Sequence, residues 1–291
     1  MKIRSFRYRL ESFLIYVAIA IAAFVVAVPF LHTLARSFSA EAPILRNEVY
    51  IWPTGFTVNA YQRLLRYQGF WTGYRNSAII TIFGTAVSML ISILCAYPLA
   101  RPELPGRGAF ATLVVLTMIF PPGLIPFYLT VRGLGMMDSW VALVIPYCLN
   151  SFYMIVLRSY IQSLPHELEE SAIIDGANDL QVLMRIILPL SVPVLGTLTL
   201  FYAVYYWNQF FPAVIFINTG SKQPIAIVLR DLIWSAQLQT QTADPNQFER
   251  MAGVEALKSG SVIIAALPML AAYPFLQRYF IKGIMLGAIK G

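Results

Sequence analysis

Charge is what this sequence has least of. Of its 291 residues, 12% are Asp, Glu, Lys or Arg and 58% are hydrophobic, for a mean hydropathy of +0.66. A soluble domain carries about 25% charged residues. A chain this poor in charge cannot cover a globule with polar surface, which excludes a soluble enzyme, a secreted module or a disordered protein. Cysteine is almost as scarce: Cys95 and Cys148 both lie in apolar runs, read as buried unpaired thiols, and offer no metal-ligand spacing. No phosphate-cradling GxxxxGK[ST] loop occurs, so the chain has no ATP site of that kind. The net charge of +7 lies in loops and tails between apolar runs, with no basic stripe outside them, which argues against nucleic acid as a partner.

What the sequence does have is long apolar runs. Six are read as membrane spans, at about 12–35, 76–98, 109–131, 141–160, 183–207 and 260–280, each near the roughly 20 residues a helix needs to cross the hydrocarbon core. A bilayer leaves an open segment no way but a helix to satisfy its backbone, and the runs lack the alternation of a β-barrel. The expectation is an all-α integral membrane protein in one transmembrane domain, 1–291, with the first span retained as an anchor. With the N-terminus inside, the inner segments hold 11 of the 21 Lys and Arg residues on the shorter length of chain. Both termini are therefore expected in the cytoplasm, and the lipid bilayer is the first partner. Ten prolines fall in or at the edges of these spans, among them Pro121, Pro122, Pro146, Pro189 and Pro193; each removes a ladder hydrogen bond, and kinked, packed helices are expected.

Inside the spans, ionisable groups are nearly missing. His32 lies near the outer end of the first, Arg158, Arg185 and Arg278 lie near inner ends, and no Asp, Glu, Lys or Arg lies deep in any of them. Proton relays and ion sites are built from such groups, so the energy for any uphill transport is expected from another polypeptide. An ion-coupled secondary carrier is the alternative that this absence disfavours. A membrane enzyme fails for want of convergent catalytic residues, since His32 and His166 lie far apart in depth and no catalytic or metal-binding set joins them.

The segment between the fourth and fifth spans is the most distinctive. Pro165 precedes Glu167, Glu169 and Glu170, and a short helix over about 165–175 is expected, with Gly176 ending it. Leu168, Ala172 and Ile173 fall on one stripe. Two readings stand: an amphipathic helix on the inner leaflet, disfavoured by five acids (Glu167, Glu169, Glu170, Asp175, Asp179), and a helix that docks into a groove on a soluble partner.

Glu170-Ser171-Ala172, then Gly176, then Ile186-x-Leu188-Pro189 resembles the EAA loop, E-A-A-x3-G-x9-I-x-L-P, of permease subunits of binding-protein-dependent ABC importers. The one departure is Ser171 at the first Ala. Trp52-Pro53, Asn59-Ala-Tyr61, Asn76-Ser77, Leu134-Gly-Met-Met-Asp138, Trp207-Asn208 and the C-terminal run from Tyr273 to Gly291 extend the resemblance to the carbohydrate-importer branch, MalG-type and LplC-like. This resemblance implies a six-helix type I importer (MetI-like) permease fold in the bacterial inner membrane, carrying an oligosaccharide. It implies a second homologous permease, two ATPase subunits that bind the ATP and magnesium this chain does not, and an extracytoplasmic sugar-binding protein. It makes 163–179 a cytoplasmic coupling helix, with Glu169, Glu170, Ser171, Ala172, Asp175, Gly176, Leu188 and Pro189 as ATPase-coupling residues. The tail 281–291, with Lys282 and Lys290, would dock on the ATPase; read without the resemblance it is a frayed end.

Substrate contacts are sought where polar and aromatic residues enter the spans. Phe201 to Phe211 holds seven aromatics in eleven residues, either an interfacial belt or rings that stack on sugars. Tyr147, Asn150, Ser151, Tyr205, Trp207 and Asn208 are the candidate lining residues. Asn150 and Ser151 in a span serve equally as glue between helices. The segment 208–258 is expected as an extracytoplasmic loop, a linker or a contact for the binding protein. Outer segments hold 10 basic against 7 acidic residues, a margin that decides nothing between neutral and acidic oligosaccharides.

Overall fold

The computed structural model describes residues 5–241 and 248–288, and among these every regular element is a helix. Three helices are long and apolar enough to cross a membrane unbroken: α1 (Ser5–Ser37), α4 (Gln68–Ala100) and the last, Phe248–Ala288, through its stretch Gly253–Ala272. The other three expected spans are each two helices meeting at a bend. Arg107–Ile119 (α5) and Leu124–Gly133 (α6) meet at 115°; Val141–Tyr147 (α7 with a closing 3-10 turn) and Ser151–Gln162 (α8) at 47°; Asp179–Leu190 and Val192–Trp207 at 81°. By length and composition this makes three to six spans. The kinks expected from the prolines of 109–131, 141–160 and 183–207 are sharper than a kink: each of these stretches breaks into two helices.

Each bend has a local cause. Between α5 and α6 the chain reads Phe120-Pro121-Pro122-Gly123, two residues without an N–H followed by one without a Cβ. Between α7 and α8, Asn150 leaves the helical region (φ −90°, ψ 115°), and its side chain accepts the Tyr153 N–H, capping α8. In the third pair, Pro189 has no N–H to offer the Arg185 carbonyl, and ahead of it the backbone widens into a π turn over Leu183–Ile187. At the bend itself the Leu190 carbonyl accepts the Tyr160 hydroxyl at 3.1 Å.

The described chain divides into two compact units. The first is made of residues 1–70 and 229–267. Here α2 (Glu41–Leu45) and α3 (Asn59–Arg66) pack with α1 and the last helix through small side chains, Ala35, Ala60 and Ala256, with Ile44 and Val49. Gly253 is needed for this approach: a Cβ on it would lie 2.5 Å from Arg63 Nη1 and 2.8 Å from Glu41 Oε1, which pair with each other across it. His32 donates its Nδ1 hydrogen to the Tyr50 carbonyl at 2.8 Å, which gives the one histidine inside an expected span a structural partner.

The second unit comprises 71–228 and 268–291. Its core joins α4 to α12 (Val192–Trp207), which follows α9 (Glu167–Ile174), α10 (Asp179–Val182) and α11 (Leu188–Leu190) in the chain. Ser88 and Ser92, one turn apart on α4, hydrogen-bond the hydroxyls of Tyr206 and Tyr202, one turn apart on α12, both at 2.8 Å. The Tyr202 hydroxyl also accepts the Asn150 N–H at 3.1 Å. One turn further along α4, Gly84 lies against the Tyr206 ring. Small and hydroxylic residues at a four-residue spacing let membrane helices approach closely and bond across the contact.

The expected loop 208–258 is largely helical: α13 (Phe211–Phe216), α14 (Ile225–Gln241) and the start of α15 (Phe248–Ala288) occupy it. Its most polar part, 242–247, lies outside the described residues, as do Lys290 and the Lys282 side chain.

Candidate functional site

The segment between α8 and α12 is built by local rules. Helix α9 starts behind Pro165 with Glu167, Glu169 and Glu170 in its first turn, where carboxylates face the positive end of the dipole. It ends in a Schellman closure. The Gly176 N–H bonds the Ile173 carbonyl at 3.0 Å and the Ala177 N–H the Ala172 carbonyl at 2.9 Å, with Gly176 at φ +83°. Two residues on, Asn178 and Gln181 form a reciprocal capping box, both bonds 2.9 Å, and open α10.

This sorts the expected coupling residues onto two sides. Glu170, Ser171, Asp175 and Gly176 are exposed, beside the exposed apolar side chains Leu168 and Ile174, the latter 85% exposed. Ala172 and Leu188 pack into the core of the second unit, and Pro189 shapes the turn described above. Glu169 departs from the expectation. Its side chain is 16% exposed and pairs with Arg101 at 3.1 Å, so it faces the protein's own helices and not a docking surface. A hollow of about 180 Å³ beside it is lined by Arg101, Glu103, Gln162, His166 and Glu170.

Two of the candidate substrate-lining residues are brought together, and the others are taken up by contacts within the protein. Tyr147 and Tyr205 meet, with ring centroids 5.8 Å apart, and the Phe127 ring lies tilted against Tyr147 at 5.4 Å. Asn150 is taken up as a helix cap, and Ser151 hydrogen-bonds Thr117 at 2.9 Å. Trp207 is 5% exposed and meets the edge of Tyr74 at 5.3 Å, so its ring presents no open face to a sugar. The Asn208 side chain donates to the Val204 carbonyl of its own helix at 2.9 Å.

Sequence reasoning missed Asp138, the last residue of the quoted Leu134–Asp138 motif. It sits at φ +53°, tolerated by a short polar side chain. Its carboxylate accepts the N–H groups of Asn218 (3.0 Å) and Thr219 (2.8 Å), the Thr219 hydroxyl (2.6 Å) and Lys222 Nζ (3.1 Å). Donation by the Thr219 hydroxyl, then by its N–H and by Lys222, holds the carboxyl far below the usual carboxylate range. A depressed folded pKa gives stability that is fully present above the unfolded carboxylate's pKa and is lost progressively as pH falls from there through the depressed value. Asp138→Asn is expected to lower the detergent-solubilised protein's Tm by the same margin at pH 8 and pH 6, the gap to wild type closing only in strong acid. A gap that changes between pH 8 and pH 6 contradicts this.

Comparison with known proteins bears on the whole chain. A family model described as "Binding-protein-dependent transport system inner membrane component" matches residues 1–285. The chain is 41% identical over 263 residues to Protein LplC of Bacillus subtilis (strain 168), covering 90% of this chain and 89% of that protein. It is 38% identical over 284 residues to the polygalacturonan/rhamnogalacturonan transport system permease protein YtcP of the same organism, covering 97% and 99%. Among solved structures it resembles a bacterial ABC transporter involved in the import of the acidic polysaccharide alginate, with a TM-score of 0.84 and 30% identity, covering 96% of this chain and all of that one.

Proposed function

The chain belongs to the family of binding-protein-dependent transport system inner membrane components, and from that premise we propose that it forms half of the sugar path of an ATP-driven importer whose cargo is an acidic, uronate-containing oligosaccharide. Its architecture is the all-α, MetI-like permease fold, and it is a membrane permease subunit of the ABC sugar-transport class. One observation carries the acidic reading: a 38%-identical relative of equal length is named for polygalacturonan and rhamnogalacturonan, and a structure superposing at TM-score 0.84 belongs to an alginate importer. Uronates are the acidic residues common to those polymers.

In this reading a second, homologous permease completes the path, and an extracytoplasmic binding protein delivers the sugar. Two ATPase subunits bind ATP and magnesium and hydrolyse the nucleotide on the cytoplasmic side, where both termini of this chain lie. The residues of this chain do no bond chemistry; they bias a two-state membrane element. The docking surface is α9: Leu168 and Ile174 offer apolar contact while Glu170 and Asp175 offer carboxylates, a combination that suits a groove on a soluble protein better than anionic lipid. Lys282 and Lys290 of the tail add a second contact to the same ATPases.

The test is ATPase activity of the complex purified with its partner subunits, with binding protein loaded from a panel of oligogalacturonates, oligoalginates and neutral xylo-oligosaccharides. Stimulation by the uronate sugars is expected. Glu170→Ala is expected to lower that stimulation by about tenfold or more, the worth of a hydrogen bond to a charged group. Stimulation by neutral sugars alone overturns the acidic reading. Wild-type behaviour of Glu170→Ala with the ATPases still attached overturns the docking surface.

A further inference from the structure

Resting on the docking role of α9, we infer that Arg101 is the positioning residue that ties this helix to the end of membrane helix α4, so that a displacement of α9 is passed to α4 and not absorbed by the loop. Arg101 is the first residue after α4, and it reaches three elements at once. Nη2 pairs with Glu169 of α9 at 3.1 Å; Nη1 pairs with Asp179 of α10 at 2.8 Å; and Nη2 also donates to the Tyr97 hydroxyl, one turn back on α4. The guanidinium lies over the Tyr97 ring, 4.7 Å from its centroid. A planar guanidinium with five donors in a rigid fork holds two carboxylates in a fixed relation, which a lysine ammonium cannot do.

The surroundings turn this contact into a joint. The Arg101 and Glu169 side chains are 18% and 16% exposed, so solvent screens their attraction little. The last carbonyls of α4, which have no partner within their own helix, are bonded from α8: Arg158 Nε donates to Leu99 at 2.9 Å and Gln162 to Ala100 at 3.3 Å. The end of α4 is thereby bolted to α8, α9 and α10 by side chains. Two to three turns further into α4, Ser92 and Ser88 join it to Tyr202 and Tyr206 of α12. A push on α9 therefore has a continuous, hydrogen-bonded route to the helix beyond the bend, and Arg101 is its first link.

The experiment is sugar transported per ATP hydrolysed in proteoliposomes holding the complete complex, with binding protein loaded with oligogalacturonate, or with xylo-oligosaccharide should the neutral sugar be the stronger stimulant. Arg101→Ala is expected to keep its ATPases and continue to hydrolyse ATP while the ratio falls about tenfold; Glu169→Gln, which leaves the arginine and its Asp179 pair in place, is expected to lower it severalfold. A structural role alone would lower the amount of complex but not this ratio. The charge exchange Arg101→Glu with Glu169→Arg is expected to recover part of it. A wild-type ratio in Arg101→Ala overturns the inference; if that variant does not assemble, a wild-type ratio in Glu169→Gln overturns it. The docking reading fails separately, by a wild-type response of Glu170→Ala in the same vesicles.

Discussion

Leucine in place of Gly84 is expected to leave little or no folded subunit in the membrane. A Cβ at this position would stand 2.8 Å from three carbons of the Tyr206 ring, well inside van der Waals contact. The ring has nowhere to retreat. It is 2% exposed, its hydroxyl is held by Ser88 at 2.8 Å one turn along the same helix, and it packs edge-on to Tyr205. Alanine, which adds only the Cβ, is expected to cost about 1–3 kcal/mol, the usual range for overpacking a tight contact, and leucine more than the helix pair can accommodate. Thermal unfolding of the purified subunit gives the alanine cost, and abundance in membranes reads the leucine variant. The penalty should be strongly non-additive: in a Tyr206→Ala background Gly84→Ala should cost almost nothing, because the clash and its partner are removed together. Wild-type abundance of the Gly84→Leu subunit would falsify the close packing of α4 on α12.

Transport is the quantity most sensitive to Gly176. At φ +83° with no atom within 4 Å of the place a Cβ would take, this glycine is required for its backbone and not for space. A substitution there is thus a clean probe of the Schellman closure. An L-residue in the left-handed region costs about 1–2 kcal/mol, asparagine less, and a β-branched residue most. Helix α9 has eight residues, far below the length at which a helix is stable by itself, so a penalty of that size at its end unwinds part of it. Sugar uptake by the intact complex is expected to fall in the order Asn, Ala, Val, with Gly176→Val lowest, while the Tm of the membrane helices stays near that of wild type. Wild-type uptake in the alanine and valine variants would show that the end of α9 does not matter for coupling.

How far the sequence alone leads depends on how local each feature is. The ends of α9 were legible because prolines, first-turn acids and a closing glycine act within one turn of the helix they bound. Hydropathy also locates the apolar stretches, but it carries no information about direction, so the prolines announced kinks without showing that three spans break into two helices each. The cues were present as residues, Pro121-Pro122-Gly123 and Pro189 above all, and only their neighbours decide whether a proline kinks a helix or ends it. Asn150 read as a polar residue stranded in a span because the break it caps was hidden. Trp207 read as a belt ring or a sugar-stacking one because one sequence cannot say which side of an aromatic-rich helix is covered. Arg101 counted only as one more inner positive charge, since its partners Glu169 and Asp179 lie 68 and 78 residues away along the chain and only the packing of α4 brings them together.

The Leu190 carbonyl and the Tyr160 hydroxyl set an order of events during biogenesis. To enter a bilayer, the stretch 183–207 must carry its backbone polar groups satisfied, and a straight helix does that with no outside help except at its prolines. The bent form needs a donor for Leu190, which α8 supplies from 30 residues upstream. Chain synthesis delivers that donor first, so the fifth span arrives beside a partner already in place.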